Sequence, residues 1–322
     1  MAFLGTSTSI AAELLTKGNL VGIPTETVYG LAGNAFDPMA VSKIFQIKSR
    51  PSFDPLIVHV SDRDEIRYIT EYIPSELKEL VDSYMPGPLT IIAKKRQLIP
   101  DIVTAGSPYV GIRIPNHPLT LELLNKLDFP LAAPSANPFG YISPTTAQHV
   151  ADQLGSKVSY ILDGGPCQVG VESTIIKVNN DGSLQILRKG GLTIEQIAHI
   201  SGKKLEINDF SSSNPQAPGM LSNHYAPRVP LNICDLKKTI QNVDLKRTGI
   251  ISFSEFYEDV LPNHCITLSK SGDFGEAARN LFAGMRHLDN CDIDQILVEL
   301  VPDTDLGFAI NDRLKRAASN NI

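Results

Sequence analysis

Residues 21–60, VGIPTETVYGLAGNAFDPMAVSKIFQIKSRPSFDPLIVHV, constrain the fold most, because strand, turn, helix and strand succeed one another with little slack. A short apolar run ends at Pro24, and the turn Thr25-Glu-Thr-Val-Tyr-Gly30 follows it. Asp37-Pro38 combines a capping oxygen with a proline at the first helical position, so a helix starts there. Val41, Ile44, Phe45 and Lys48 then recur at helical spacing until Pro51 stops the run. Leu56 to Val60 alternates as a strand, with Leu56, Val58 and Val60 on one face and Ile57 and His59 on the other. Hydroxyls, two cations and an imidazole thus collect between buried elements, which is more polar chemistry than a turn requires.

The same grammar continues. Thr8 or Ser9 can cap a first helix, and Asn19 to Ile23 makes a short buried strand. Helices are predicted from Ser61-Asp62 and from Pro74 towards Tyr84, and Met85-Pro-Gly-Pro88 introduces a strand over Leu89 to Ala93. The Lys94-Lys95-Arg96 run reads as a solvated strand end, with a nucleic-acid contact as the alternative. Tyr109 to Pro115 alternates, placing Arg113 beside Gly111 on the face away from Val110, Ile112 and Ile114, where the missing side chain leaves a ligand room. Phe129 to Ala133 runs into a proline-stiffened loop carrying Ser135, Asn137 and Ser143. A strand over Val169 to Val178 contains Glu172-Ser-Thr174. Another, Leu184 to Leu187, ends at Arg188, and a helix follows from Thr193. This irregular alternation predicts a twisted, mixed-sheet α/β domain over residues 1–208.

Residues 209–228 change character to Ser, Asn, Pro and Gly, which predicts a linker of limited flexibility, although His224-Tyr-Ala-Pro227 is more than a spacer needs. From 229 to 322 strands and helices restart as a small Rossmann-like α/β unit, half a doubly wound sheet without its Gly-rich fingerprint. A length of 322 residues suits two such domains.

Several classes are excluded. There is no G-x-x-x-x-G-K-[ST] loop, H-E-x-x-H, G-x-S-x-G or paired metal-ligand cluster. The four cysteines stand far apart, which fits a reducing cytosol. No run approaches a membrane span and the N-terminus has no signal-peptide pattern, so the expected location is cytoplasmic. Up to residue 208 there are 18 Lys and Arg against 20 Asp and Glu. An anion site must therefore be a local focus of charge. Lys48 and Arg50 can serve the helix dipole, or join Arg113 and Arg188 around an anion. His59 can be an interior histidine or a ligand, and Tyr225 a pin for the linker.

Pro24-Thr-Glu-Thr-Val-Tyr-Gly30, Lys48-Ser-Arg50, Ser135-Ala-Asn137, Glu172-Ser-Thr174, Pro218-Gly-Met220, His224-Tyr-Ala-Pro227 and Asn311-Asp-Arg-Leu-Lys-Arg316 together resemble the long form of the YrdC-like threonylcarbamoyl-adenylate synthases. The likeness spans nearly the whole chain. It implies synthesis of L-threonylcarbamoyl-AMP from L-threonine, bicarbonate and ATP with Mg²⁺, releasing pyrophosphate. Downstream transferase machinery then modifies adenosine 37 of ANN-decoding tRNAs, with a weak tRNA contact and no membrane. The resemblance implies catalytic roles for Lys48 and Arg50. It assigns threonine to Thr25, His59, Arg113, the Ala133 backbone and Ser173. It assigns ATP to Lys48, Ser52, Tyr109, Ser135, Asn137, Ser143, Arg188 and Tyr225, the last as a lid. The rivals are an RNA-binding module without ATP chemistry and a hydrogenase-maturation carbamoyl-transfer domain, whose zinc-finger and acylphosphatase-type segments are missing here.

Overall fold

A computed structural model describes residues 2–207, 217–219 and 224–318. The first unit holds strands β1 (Phe3–Gly5), β2 (Val21–Ile23), β3 (Gly30–Asn34), β4 (Ile57–His59), β5 (Leu89–Lys94), β6 (Tyr109–Arg113), β7 (Leu131–Ala132), β8 (Tyr160–Leu162), β9 (Thr174–Val178), β10 (Leu184–Arg188) and β11 (Leu205–Ile207). They form one mixed sheet in the order β1-β8-β2-β3-β7-β4-β6-β5-β9-β10-β11. Its helices are α1 (Thr8–Thr16), α2 (Pro38–Lys48), α3 (Arg63–Ile69), α4 (Lys78–Tyr84), α5 (Asp101–Thr104), α6 (Pro118–Leu124), α7 (Ala147–Leu154) and α8 (Ile194–Ser201). The α/β mixed-sheet expectation holds.

Pattern explains register. Val58, Ile91, Val110 and Ile112 point into the main core with Val41 and Ile44 of α2, while Ile57, His59 and Arg113 point to the opposite face. His59 pairs with Arg113 across the parallel β4–β6 ladder. A one-residue slip would put both polar groups into the apolar core, and burying an unpaired charge there costs far more than the ~1.5–3 kcal/mol of any single apolar side chain. Only one register is tolerable.

Local chemistry departs from the sequence reading in places. Ser7, not Thr8 or Ser9, caps α1, its hydroxyl accepting from Ile10 N. The 169–178 strand begins only at Thr174, because Glu172 and Ser173 are held by side chains outside the ladder. Short β11 carries too few residues to show a period. Gly111 offers a ligand no room, since a Cβ there would touch Ile57, Ile92 and Thr90 at 3.4–3.5 Å. The basic run is engaged: Lys94 pairs with Glu71, Lys95 with Asp101, and Arg96 Nε donates to Thr70 O. Lys94 and Arg96 are exposed, so the run is the solvated strand end expected, and these contacts tie it to its neighbours.

The second unit is a parallel sheet in the order β12-β15-β13-β14, from β12 (Leu231–Ile233), β13 (Thr248–Ser252), β14 (Cys265–Thr267) and β15 (Gln295–Val298). Helices α9 (Leu236–Thr239), α10 (Phe274–Asp289) and α11 (Gly307–Ala318) accompany it. Its core does not stop at the boundary. Val28, Ile142 and Val171 of the first unit pack in one cluster with Tyr225, Phe282, Met285 and Ile310. Of the predicted linker, residues 209–216 and 220–223, including Met220, lie outside the described residues. Pro218, Gly219, His224 and Tyr225 are buried.

Candidate active site

A cavity of about 550 Å³ of empty space, mouth included, lies on the Ile57–His59 face of the sheet, beneath the segments around Pro218 and Tyr225. Its wall brings together Thr25, Arg50, His59, Arg113, Ala133, Ser135, Ser173, Arg188 and Tyr225. These residues lie up to 200 positions apart in sequence, and each arrives on a strand end or the loop beside it.

Thr25 ties the first turn into a knot. Its hydroxyl donates to Val28 O at 2.6 Å and accepts from the amides of Thr27 and Val28. Thr27 Oγ1 accepts from Arg113 Nη1 at 2.8 Å, Arg113 Nε donates to Gly87 O, and Arg113 Nη2 lies 2.7 Å from Glu26. Arg50 is similarly paired with Asp54 at 2.9 Å, and its guanidinium also donates to the carbonyls of Asp54 and Pro55. Arg188 differs. Among the described residues its hydrogen bonds go to neutral oxygens: Ser173 O and Oγ, both at 3.0 Å, and Pro218 O at 3.2 Å. Ser173 Oγ also shares a 2.7 Å bond with Thr90.

Lys48 stands behind the wall. Its ammonium donates to Ser135 O at 2.5 Å and Asn137 O at 2.6 Å, fastening the proline-stiffened loop to the end of α2. Burial pushes its pKa well below the usual lysine range, with the Arg50 charge adding to the effect. Expected as a phosphate neutraliser, Lys48 here fixes the loop that carries Ser135. Asn137 and Ser143 also lie outside the lining; Asn137 Nδ2 donates to Pro138 O and Tyr141 O, and Ser143 Oγ donates to Glu172 at 2.5 Å. Ser52 sits in an exposed turn. Tyr109 is the assigned residue least joined to the cavity: its ring is 43% exposed and lies under the Lys177 ammonium.

Glu172 and His224 line the cavity and belong to the quoted motifs, yet neither received a role from the sequence. Glu26 and Asp54, which balance Arg113 and Arg50, were missed because a single acidic residue in a turn gives no sign of its partner. Around the cavity Arg50, Arg113 and Arg188 stand against the buried carboxylates of Glu26, Asp54 and Glu172, and Arg313 already pairs with the last of these. The excess of positive charge suits a polyanion.

Several buried polar atoms at this cavity have no hydrogen-bond partner, among them Nδ1 of His59 and Nδ1 of His224. Each unmade bond costs about 1–3 kcal/mol, so a polar ligand has bonds to recover here. Burial, with the neighbouring Arg113 charge, pushes His59 down to about 3, and burial with Arg50 and Lys48 pushes His224 well below its ordinary value. Both imidazoles are neutral near pH 7. Unfolded, they take up protons near the ordinary value of about 6.5. The unfolded chain therefore binds more protons below that pH, and stability falls as pH drops. From pH 7.5 to 5.5 the loss should reach roughly 1.4 kcal/mol per histidine, read from urea midpoints, and His59→Gln should flatten the slope. A pH-independent midpoint over that interval would refute it.

Gly190 allows the segment carrying Glu172 and Ser173 to approach Arg188. A Cβ there would lie 2.3 Å from Glu172 O and 2.5 Å from Thr174 N, both backbone atoms. Gly190→Ala should cost about 1–3 kcal/mol in urea unfolding, since the main chain must shift to admit the methyl.

A mixed sheet with a cation-lined cavity on one face, covered by the segments around Pro218 and Tyr225 that lead to a second α/β unit, defines a two-domain protein of the YrdC-like class. Residues 13–190 match the Sua5–YciO–YrdC family model, described as telomere recombination, and residues 192–319 match the model for the C-terminal domain of threonylcarbamoyl-AMP synthase. The chain belongs to the threonylcarbamoyl-AMP synthase family, in its two-domain, Sua5-like form. A threonylcarbamoyl-AMP synthase of Pyrococcus abyssi is 36% identical over 97% of this chain and 94% of its own length. One of Bacillus subtilis is 38% identical over 97% and 93%. The crystal structure of P. abyssi Sua5 complexed with L-threonine superposes with a TM-score of 0.90 at 35% identity, covering 99% of this chain and 98% of that one. Full-length HypF, at 20% identity and a TM-score of 0.52, shares the fold over 57% of this chain.

Proposed function

We propose that this protein makes L-threonylcarbamoyl-AMP from L-threonine, bicarbonate or CO₂ and MgATP, releasing pyrophosphate, and so supplies the group placed on adenosine 37 of ANN-decoding tRNAs. The observation that carries this reading is the cavity itself. Arg113, His59, Thr25, Ala133 and Ser173 share one wall with Arg50, Ser135, Arg188 and Tyr225, in a chain that matches a threonine-complexed Sua5 almost end to end.

In this reading Arg113 receives the threonine carboxylate, while Thr25, His59, the Ala133 backbone and Ser173 orient its amine and hydroxyl. His59, its pKa pushed down to about 3, is a neutral imidazole with a single ring N–H at neutral pH and is a poor base for an amine. It acts as a hydrogen-bond partner. The amine nitrogen bonds to the carbon of CO₂ and loses a proton to solvent. The resulting carbamate oxygen attacks the α-phosphorus, and the bond to the leaving pyrophosphate breaks. Arg50 and Arg188 offset the charge that develops, and Lys48 keeps the Ser135 loop in place, so alignment and electrostatics carry the step. Burial and the nearby Glu172 push the Tyr225 hydroxyl up to about 12, which keeps it a donor above the nucleotide and helps exclude water from the mixed anhydride.

Among the described residues no group of three or more His, Cys, Asp or Glu could hold a metal ion. The carboxylates of Asp54, Glu26 and Glu172 face Arg50, Arg113 and Arg313. This donor set suits a magnesium ion that arrives on the phosphates, so MgATP is treated as the substrate.

The test is pyrophosphate release from ATP with each amino acid in turn, with and without bicarbonate. Release should depend on threonine and on bicarbonate; no threonine dependence would defeat the reading. The RNA-binding alternative predicts a steep salt dependence of RNA affinity without ATP turnover. No helix among the described residues is long and apolar enough to cross a membrane.

A further inference from the structure

Arg313 does not touch the cavity, yet it is the largest fully buried side chain of the described residues. It lies on the inward face of α11 among Ala309, Ile310, Leu314 and Ala317, a stripe where the helical period calls for an apolar residue. A guanidinium kept there needs compensation, and the first unit provides it. Arg313 Nε donates to Glu172 Oε2 at 2.9 Å and Nη1 donates to Lys189 O at 2.6 Å, while Asp312 lies 2.9 Å from Nη1. The guanidinium carbon also stands 5.3 Å over the Tyr225 ring.

The contact continues to the nucleotide side. The other oxygen of Glu172, Oε1, accepts from Ser143 Oγ at 2.5 Å. The main chain of the same serine is held by a second arginine of the small unit: Arg286 of α10 donates through Nε to Ser143 O at 3.3 Å and through Nη2 to Ile142 O. Its guanidinium lies 5.2 Å over the Tyr141 ring. Ser143 is thus held at its hydroxyl, through Glu172, and at its carbonyl by two arginines that the second unit contributes.

We propose that Arg313 is a positioning residue for the nucleotide half of the reaction. It orients Glu172, which sets Ser143, and it neutralises the one cavity-lining carboxylate that would otherwise face the phosphates. Arg286 supports the same loop from behind. The inference rests on the functional reading above for the identity of the polyanion. It separates the two substrates: Arg313 and Arg286 reach the Ser143 loop, whereas Thr25, His59 and Arg113 make no hydrogen bond to either arginine. Losing Arg313 leaves Glu172 buried without its cation and aimed into the cavity, and a like charge there repels a triphosphate directly.

The full chain and Arg313→Met are compared in two assays. One is calorimetric binding of the non-hydrolysable analogue α,β-methylene-ATP with Mg²⁺. The other is steady-state pyrophosphate release with threonine and bicarbonate. The expected result is a rise of tenfold or more in the analogue Kd and in KM for ATP, with KM for threonine changed less than twofold. Adding Glu172→Gln to the same chain removes the stranded charge and should recover at least threefold of the lost ATP affinity. Should Arg313→Met fail to accumulate as folded protein, Arg286→Gln is expected to give the same ATP-selective change. Unchanged nucleotide affinity, an equal loss for both substrates, or no recovery with Glu172→Gln would each overturn the proposal. Absence of threonine-dependent turnover in the wild type would instead defeat the functional reading, and analogue binding would still decide the role of Arg313.

Discussion

Replacing Arg113 with methionine is expected to reduce threonine-dependent pyrophosphate release by about a thousandfold or more, and to destabilise the fold by about 3–5 kcal/mol. Both losses have the same origin. Arg113 is 4% exposed, and its Nη2 lies 2.7 Å from Glu26, itself 3% exposed. Removing one member of a buried pair strands the other, whereas removing both as a neutral, shape-matched pair is far less costly. Glu26→Gln in the Arg113→Met chain should therefore return most of the stability, since the amide oxygen it introduces can still accept from Asn116 N, as the Glu26 carboxylate does at 3.0 Å. It should return none of the turnover, because the carboxylate receptor is still missing. Urea unfolding and pyrophosphate assays on the single and double variants separate the two effects. If the double variant regains activity with stability, Arg113 serves the fold and not the substrate.

Arg188→Met should show the opposite balance. Among the described residues the hydrogen bonds of Arg188 go to neutral oxygens of Ser173 and Pro218, and burial holds its pKa below the usual arginine range. Its loss strands no ion-paired carboxylate there, and stability should stay within about 2 kcal/mol of wild type. The phosphates lose a preorganised cation, and kcat should fall by about a hundredfold to a thousandfold with a rise in KM for ATP. A stable protein with normal kcat would remove Arg188 from the reaction. Composition and spacing give the two arginines the same look; the presence of Glu26 beside Arg113 makes the expected stabilities differ.

Much of the fold was legible because it depends on short-range periodicity. The alternation in Leu56–Val60 and Tyr109–Pro115 placed Val58 and Ile112 in the core and His59 and Arg113 on the other face, as the structure has them. Asp37 and Pro38 start α2 as their capping chemistry requires. Much less of the electrostatics was legible. The motifs contain Lys48, but not the fact that its ammonium donates to two carbonyls 87 and 89 residues away. Gly111 looked like space for a ligand and is space for Ile57 and Ile92. Lys94-Lys95-Arg96 is the solvated charge it looked like, but its partners Glu71, Asp101 and Thr70 could not be read from the run. In each case the deciding neighbour comes from long-range packing, which local pattern does not encode. One signal was available and unused: an arginine on the apolar stripe of α11 is costly unless something distant compensates it.

The apolar cluster that joins Val28, Ile142 and Val171 to Tyr225, Phe282 and Met285 bears on biosynthesis as well as architecture. Domains fold as units in the order in which they leave the ribosome. When residues 2–207 have emerged, the sheet and its cations exist, but the roof of the cavity does not. Three apolar groups beside the substrate turn still face water, and Glu172 lacks Arg313. The apolar surface that α10 and α11 cover therefore stays open to solvent until the second domain has been translated and has docked.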